Sequence, residues 1–499
     1  MILAEEKETA PESRRAKNRP RLRTLEPTEG ERHASWLELF FDLVFVLAVA
    51  KTAHILTGHT DWIGFLKFAA LFFPIWYAWI GYTFYADRFE TEEPTYRILM
   101  FAGMLAFIGL SQTLDGAFTP DGDGAFIACY VLVLLILVIH YARAAYYVPL
   151  ARPYCLQFVF GIAASILILL TSLLFEPPVR YVMWGVSLLL ELGIPFFNIR
   201  ATRLIPIDRS HIPERLGLFT IIVLGEAVIA TANGVGAVEW NAATIITASL
   251  GFAMAVSVWW INFDFVEDNA VRSNSIIRRF AYLYAHFFIV ASIVIMGIGV
   301  EHAIKETSSD HLHLSTIVLL TGGTVCFLAM ITIIRLITGI CSLVKVRAVA
   351  IAVTLLLLYF GNFLPAVALV AGLFVVLLLN ILIEDRLSEE SEIEESEAPH
   401  LMPCEHASEI LISTPRSDNG CEECRKNNYK WVHLRLCLAC GHVGCCDTSI
   451  HKHATKHFHT EGHPIVASLE KGEEWAWCYI DERFVPGPGG VEVEAWGKP

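Results

Sequence analysis

The feature that most constrains this chain is a succession of apolar runs, each close to the length of a membrane-crossing helix. They fall at 36–56, 62–85, 97–114, 124–146, 155–175, 179–199, 214–233, 242–263, 280–300, 314–338, 347–361 and 363–383. A bilayer core of about 30 Å is crossed by about 20 residues of helix. Soluble cores rarely place so many runs of that length one after another. Composition agrees, with 55% hydrophobic residues, 18% charged residues and a mean hydropathy of +0.52. Those values exclude a disordered chain and disfavour an ordinary soluble enzyme. The expected fold class is an all-α polytopic membrane protein of about twelve transmembrane helices, followed by a small cysteine-rich domain.

No cleaved signal peptide is expected. The first 35 residues are polar, and the first run carries Glu38 and Asp42 where a signal core is plain. Lys and Arg set the orientation. Arg14, Arg15, Lys17, Arg19, Arg21, Arg23 and Arg32 precede the first run, and Arg88, Arg152, Arg203, Arg209, Arg272, Arg278 and Lys345 lie in even-numbered loops. Odd-numbered loops hold little beyond Arg180 and Lys305. The N-terminus is therefore expected in the cytoplasm, and an even helix count returns the C-terminus there.

The two halves look duplicated. Phe41-Asp42-Leu43-Val44-Phe45-Val46 aligns with Phe219-Thr220-Ile221-Ile222-Val223-Leu224, Trp79-Ile80 with Trp260-Ile261, and Arg97 with Arg278. Six helices is an even number, so the repeats are expected to be parallel, a plan common in transporters. Ionisable groups within such helices are costly and point to function. Glu38 and Asp42 are four apart and share one helical face. Glu191, Glu226 and His286 lie in the sixth, seventh and ninth runs. Acids facing one another across the repeat axis could bind a cation or relay protons. The plainer alternative leaves Glu38 at the interface and pairs Asp42 and Glu226 with polar neighbours.

At these residues the chain resembles a known family. His33-Ala34-Ser35-Trp36-Leu37-Glu38-Leu39-Phe40-Phe41-Asp42-Leu43-Val44-Phe45 is similar to the opening signature of the bacterial low temperature requirement protein A family. Glu214-Arg215-Leu216-Gly217-Leu218-Phe219-Thr220-Ile221-Ile222-Val223-Leu224-Gly225-Glu226 resembles its second signature. The resemblance covers residues 30–385 and implies a polytopic bacterial membrane protein. It supplies no substrate or reaction.

After the last run comes an acidic stretch, residues 388–398, with six glutamates in eleven positions. It reads as a solvated tether. Eight of the twelve cysteines follow residue 400. Their spacing is Cys404-x-His406, Cys421-x2-Cys424, Cys437-x2-Cys440-x4-Cys445 with Cys446 beside it, His453-x3-His457-x5-His463, and Cys478-x2-Asp481. Two cysteines three apart on a tight turn supply half of a tetrahedral zinc shell. His453 and His457, four apart on a helix, point the same way. Disulfides require an oxidising compartment, which a cytoplasmic tail does not offer. Cys129, Cys155, Cys326 and Cys341 are scattered and read as small core residues. His433, His442, His451 and His459 read as unligated surface groups.

Residues 402–485 resemble the ubiquitin-protease-type (UBP-type) zinc finger in its multi-zinc form. That resemblance implies three ligand sets. Cys421, Cys424, Cys445 and His453 form one, and Cys437, Cys440, His457 and His463 a second. Cys404, His406 and Cys478 form a third. Asp481 stands where the third set usually ends in cysteine, so two or three zinc ions are expected. Cys446 competes with Cys445, and the x4 spacing favours Cys445. In the eukaryotic finger an aromatic pocket grips the free end of ubiquitin. Trp477 and Tyr479 match two pocket positions, but Asp447 and Thr448 replace an Arg-Tyr pair and Arg435 replaces a tryptophan. Losing a cation and two aromatic walls removes most carboxylate affinity, so ubiquitin binding is not expected.

The expected plan is a basic N-terminal segment (1–35), a transmembrane domain (36–385), an acidic linker (386–401), the finger (402–485), an α/β module, and a tail (486–499). The expected function is a multi-pass cell-membrane transporter or permease, in contact with membrane lipid, carrying a cytoplasmic zinc finger. The alternative is a membrane-anchored sensor or adapter whose finger recruits a cytoplasmic peptide or protein. No nucleophile–base pair or nucleotide loop is present in the sequence, so an enzyme is not expected. A net charge of −14 argues against nucleic acid as a partner.

Overall fold

A computed structural model describes residues 19–22, 34–89, 93–205, 211–264, 276–309, 311–338, 344–397, 404, 406, 410, 414–417, 420–470, 475–481 and 483–486. The chain divides into two compact units, Met1–Asp385 and Arg386–Pro499.

Among the described residues, twelve helices are long and apolar enough to cross a membrane. They are α1 (Trp36–Gly58), α2 (Trp62–Phe89), α3 (Pro94–Thr113), α4 (Asp123–Tyr147), α5 (Arg152–Ser172), α6 (Val179–Phe197), α7 (His211–Gly236), α8 (Ala242–Asp264), α9 (Ile276–Lys305), α10 (Leu314–Thr338), α11 (Val344–Phe360) and α12 (Ala366–Glu397). Local chemistry sets several ends. The Ser35 hydroxyl accepts from the Glu38 N–H while Glu38 accepts from the Ser35 N–H, a capping box that starts α1. Pro94 opens α3 at a position whose N–H is unused anyway. Leu105, Phe160 and Leu189 point outward, nearly 70% exposed, onto a surface that only lipid can cover.

Packing repeats between the halves. Helix α1 lies against α2 and α3, and α7 lies against α8 and α9. Helices α1 and α7 also meet each other. Helix α9 is the central helix, with 83% of its apolar window buried. It approaches α7 so closely that a Cβ at Gly297 would stand 2.8 Å from the Ala227 Cα. The halves differ in detail: Trp79 is fully buried, while Trp260, aligned with it in the sequence, is 43% exposed. The acidic stretch differs from the expected tether in one respect. Helix α12 continues through it to Glu397. Glutamate propagates a helix well once an apolar segment has nucleated it.

The second unit is a five-stranded antiparallel sheet with two short helices. In chain order its elements are α13 (Glu422–Lys426), β1 (Leu434–Cys437), β2 (Val443–Cys445), α14 (His453–Glu461), β3 (Ile465–Ser468), β4 (Trp475–Cys478) and β5 (Arg483–Pro486). Their order in the sheet is β2-β1-β3-β4-β5. Gly441, at φ +78°, makes the turn between β1 and β2, and its N–H donates to the Cys437 carbonyl at 2.8 Å. Gly444 lets α14 rest on β2, because a Cβ there would meet the Ala454 nitrogen at 2.5 Å.

Candidate functional site

The charged groups of the membrane unit converge where α1, α2 and α7 meet. Glu38 and Asp42 share a face of α1, and both are fully buried. Arg215, in the first turns of α7, is 1% exposed and reaches both. Its Nη1 lies 2.8 Å from Glu38 Oε1, and its Nη2 donates to Asp42 Oδ1 at 2.6 Å. Trp79 of α2 donates its indole N–H to the same Asp42 oxygen at 2.7 Å. Phe219 stacks on the Trp79 ring at 4.3 Å. One turn before Arg215, His211 lies between two carboxylates, 3.0 Å from Asp87 and 3.2 Å from Glu38.

Three points differ from the sequence expectation. Glu38 does not reach out to solvent, because beside the capping box it makes an ion pair with Arg215 inside the protein. The acids of α1 face an arginine across the two halves and not another acid. Arg215, His211, Asp87 and Trp79 belong to the cluster although the spacing arguments singled out none of them. Arg215 lies within the second signature, and the cost that marked Glu38 applies equally to a cation in an apolar run.

The remaining membrane candidates are separate from this cluster. Glu191 of α6 is buried among hydroxyls: it accepts from Tyr130 at 2.9 Å and is hydrogen-bonded to Ser165. Glu226 is half-buried on α7, within electrostatic reach of Glu301 on α9. His286 is buried, and its Nδ1 bonds the Tyr282 carbonyl one turn earlier on its own helix at 2.8 Å. A second ionic cluster had no sequence signal. Glu384 of α12 is engaged by Arg347 of α11 through both oxygens at 2.9 Å and by Arg335 of α10.

In the second unit, short turns gather cysteine and histidine into three groups whose ligand atoms lie within 4.8 Å of one another. The first contains Cys421, Cys424, Cys445 and His453. The His453 Nδ1 is 3.2, 3.2 and 3.3 Å from the three sulfurs. The second contains Cys437, Cys440, His457 and His463, with His457 Nε2 3.3 Å from both Cys440 Sγ and His463 Nδ1. The third contains Cys404, His406, Cys478 and Asp481. Its His406 Nδ1 is 3.9, 3.7 and 3.4 Å from the other three ligand atoms. A tetrahedron with bonds of 2.0–2.3 Å has edges of about 3.3–3.8 Å, so all three groups have the span of a zinc shell.

The two neighbouring thiols point in different directions. Cys445 Sγ points into the first group, whereas Cys446 Sγ turns to Thr448 Oγ1 at 2.8 Å and Ser449 Oγ at 3.5 Å. Burial pushes the Cys404, Cys424 and Cys437 thiols up to about 11. Cys445, hydrogen-bonded by Cys421, is held down to about 4. Thiols that keep their protons become ligands only when a cation displaces them. His442 is not a surface group. It is buried, bonds Glu423 at 2.7 Å and stacks on His457 at 4.1 Å, which bridges the first two groups. His451 stacks on Tyr429 at 4.0 Å, and His433 lies 3.5 Å from Glu470.

Comparison with known proteins divides the chain at the same place. The family model described as bacterial low temperature requirement A protein matches residues 33–382. The chain belongs to this family. A second model, described as the zinc finger in ubiquitin hydrolases and other proteins, matches residues 421–489. The fusion expected from the two resemblances is thus present. The uncharacterized protein RA0937 of Rhizobium meliloti is 28% identical over 316 residues, covering 59% of this chain and 75% of that protein. Ubiquitin carboxyl-terminal hydrolase 44 of Ailuropoda melanoleuca is 30% identical over 87 residues, in the finger region. That match covers 16% of this chain and only 11% of the hydrolase. Among solved structures, the solution NMR structure of protein RPA1320 from Rhodopseudomonas palustris is 46% identical. It covers 19% of this chain and 99% of that one, with a TM-score of 0.17.

Proposed function

We propose that this low temperature requirement A family member is a transporter or permease of the cell membrane, with both termini in the cytoplasm. The observation that carries the reading is Arg215 bound to Glu38 and Asp42. It places a buried ion-pair cluster between the first helices of the two halves. In transporters with such repeats the working site lies between the repeats, and movement of one against the other gives alternating access. A cluster shared by α1 and α7 must be strained or rearranged by any such movement.

The finger is proposed to bind three zinc ions, with Asp481 as the fourth ligand of the third. Each set supplies four protein ligands and leaves no open position for a reacting water, which favours structural over catalytic zinc. No activity of the hydrolase is carried over, since the match covers only its finger. One of the two matching pocket positions, Tyr479, is engaged internally: it stacks on Phe458 at 4.9 Å and bonds Thr455 at 3.2 Å. That arrangement disfavours capture of a ubiquitin terminus and leaves a regulatory module or a peptide-recruiting adapter.

Reconstitution into proteoliposomes tests the reading. Ion movement, followed with entrapped pH-sensitive and potential-sensitive dyes, is expected from the full chain and from the chain without residues 388–499. Silence from both supports the sensor or adapter reading instead.

A further inference from the structure

Glu191 differs from the other buried acids. Among the described residues no arginine, lysine or histidine touches it, and its side chain is fully buried. Its side-chain hydrogen bonds are to hydroxyls from α4 and α5. Tyr130 of α4 donates to Oε2 at 2.9 Å. Ser165 of α5 bonds Oε1 and is 2.6 Å from Ser187 of α6. The main chain is also opened here. Pro195 lies four residues on and has no N–H, so the Glu191 carbonyl loses its helical donor. Tyr77 of α2 donates to that carbonyl at 2.5 Å, and Tyr284 of α9 donates to the next one, Leu192, at 3.3 Å. Carbonyls one turn before Pro195 are thus met by tyrosines from both halves of the membrane unit.

An ionised carboxylate buried without a counter-charge is strongly disfavoured, and such a group neutralises itself. Two cations could do this, a proton or a bound metal ion. The Tyr130 hydroxyl lies 2.9 Å from Oε2, a hydrogen-bond length. Only Tyr130 and Ser165 reach the carboxylate oxygens among the described residues, far fewer than the oxygens a hard metal ion gathers, so the proton fits. The hydroxyls serve both protonation states. When Glu191 is neutral its O–H donates to Ser165, which donates to Ser187. When Glu191 is charged, Ser165 rotates and donates back.

We propose that Glu191 is a proton-binding site, loaded in this conformation, and that its proton is the coupling ion of the transporter. The second clause rests on the transport reading. Movement of α6 at Pro195, where the helix lacks one backbone bond, separates Tyr77 and Tyr130 from Glu191 and admits water. The O–H bond of the carboxyl breaks, the proton leaves to water, and the carboxylate remains until it is reprotonated from the other side. No electrons are transferred.

Infrared spectroscopy on the full chain in lipid at neutral pH tests the site. The expected result is a protonated-carboxyl C=O band that Glu191→Gln removes and Glu226→Gln leaves. Tyr130→Phe should shift this band without abolishing it, which a purely structural role for Tyr130 would not do. A second arm follows proton movement into proteoliposomes with an entrapped pH dye, where Glu191→Gln should slow uptake at least tenfold. Absence of the Glu191 band while ion flux persists overturns the proton site alone. A carboxylate that stays ionised and binds radioactive sodium overturns it in favour of a metal ion. A normal band with no flux from the wild type supports the proton site and overturns the transport reading.

Discussion

The two units are organised at opposite sequence ranges. In the finger, each ligand set is built from pairs of residues a few positions apart. Cys421 and Cys424, Cys437 and Cys440, and Cys478 and Asp481 are such pairs. In the membrane unit, the decisive contact joins Asp42 to Arg215, 173 residues away. The difference has a physical origin. A small module with little core needs a metal to supply folding free energy, and a metal needs ligands at fixed short spacings. Helices that already have their backbone bonds satisfied need only sparse polar contacts to fix their partners, and those contacts leave no spacing pattern.

This contrast can be broken at several points. The largest effect is expected from Cys437→Ser. Structural zinc contributes about 10–16 kcal/mol in zinc-finger peptides, and α14 carries ligands of both the first and second groups. The variant should lose more than one zinc per chain by elemental analysis. Limited proteolysis should then cut within 402–485 while 36–385 stays intact. Loss of a single ion with an intact finger would show that the first two sites are independent.

Arg215→Met is expected to be the counterpart in the membrane unit. It leaves Glu38 and Asp42 buried without their cation, a loss of about 3–5 kcal/mol. The thermal unfolding midpoint in detergent should fall sharply. Adding Glu38→Gln and Asp42→Asn to the same chain should restore much of it. Failure of that rescue would mean that the cluster does not act through charge.

A smaller effect is expected from Gly444→Ala. The added methyl meets the Ala454 backbone, and overpacking of this kind costs about 1–3 kcal/mol. Zinc should be released at lower chelator concentration, although no ligand has changed. Smallest is Tyr479→Phe, which removes the bond to Thr455 and keeps the stack on Phe458. It should cost about 1 kcal/mol, read as a slight shift in finger unfolding.

The range at which each unit is organised also explains what was legible. The twelve helices could be read because each run alone satisfies the length of a bilayer. The three cysteine–histidine groups could be read because a knuckle is local, and Asp481 falls beside Cys478 for the same reason. His442 was misread as a surface group because its partner Glu423 sits on a neighbouring turn with no ligand spacing between them. Arg215 and His211 could not be placed by periodicity, since nothing in the first half marks which residue of the second will meet it. Glu191 was recognised as costly, but its solution was invisible. The hydroxyls that surround it come from α4, α5 and its own helix, and the carbonyl that Pro195 frees is filled by Tyr77 of α2.

Hydrogen exchange read by mass spectrometry on the full chain tests the division most directly. A zinc chelator should raise exchange throughout residues 421–478 and leave α1, α2 and α7 unchanged. Arg215→Met should raise exchange in α1, α2 and α7 and leave the finger unchanged. Loosening of the membrane helices by the chelator, or of the finger by Arg215→Met, would contradict the claim that a metal holds one unit and buried ion pairs hold the other.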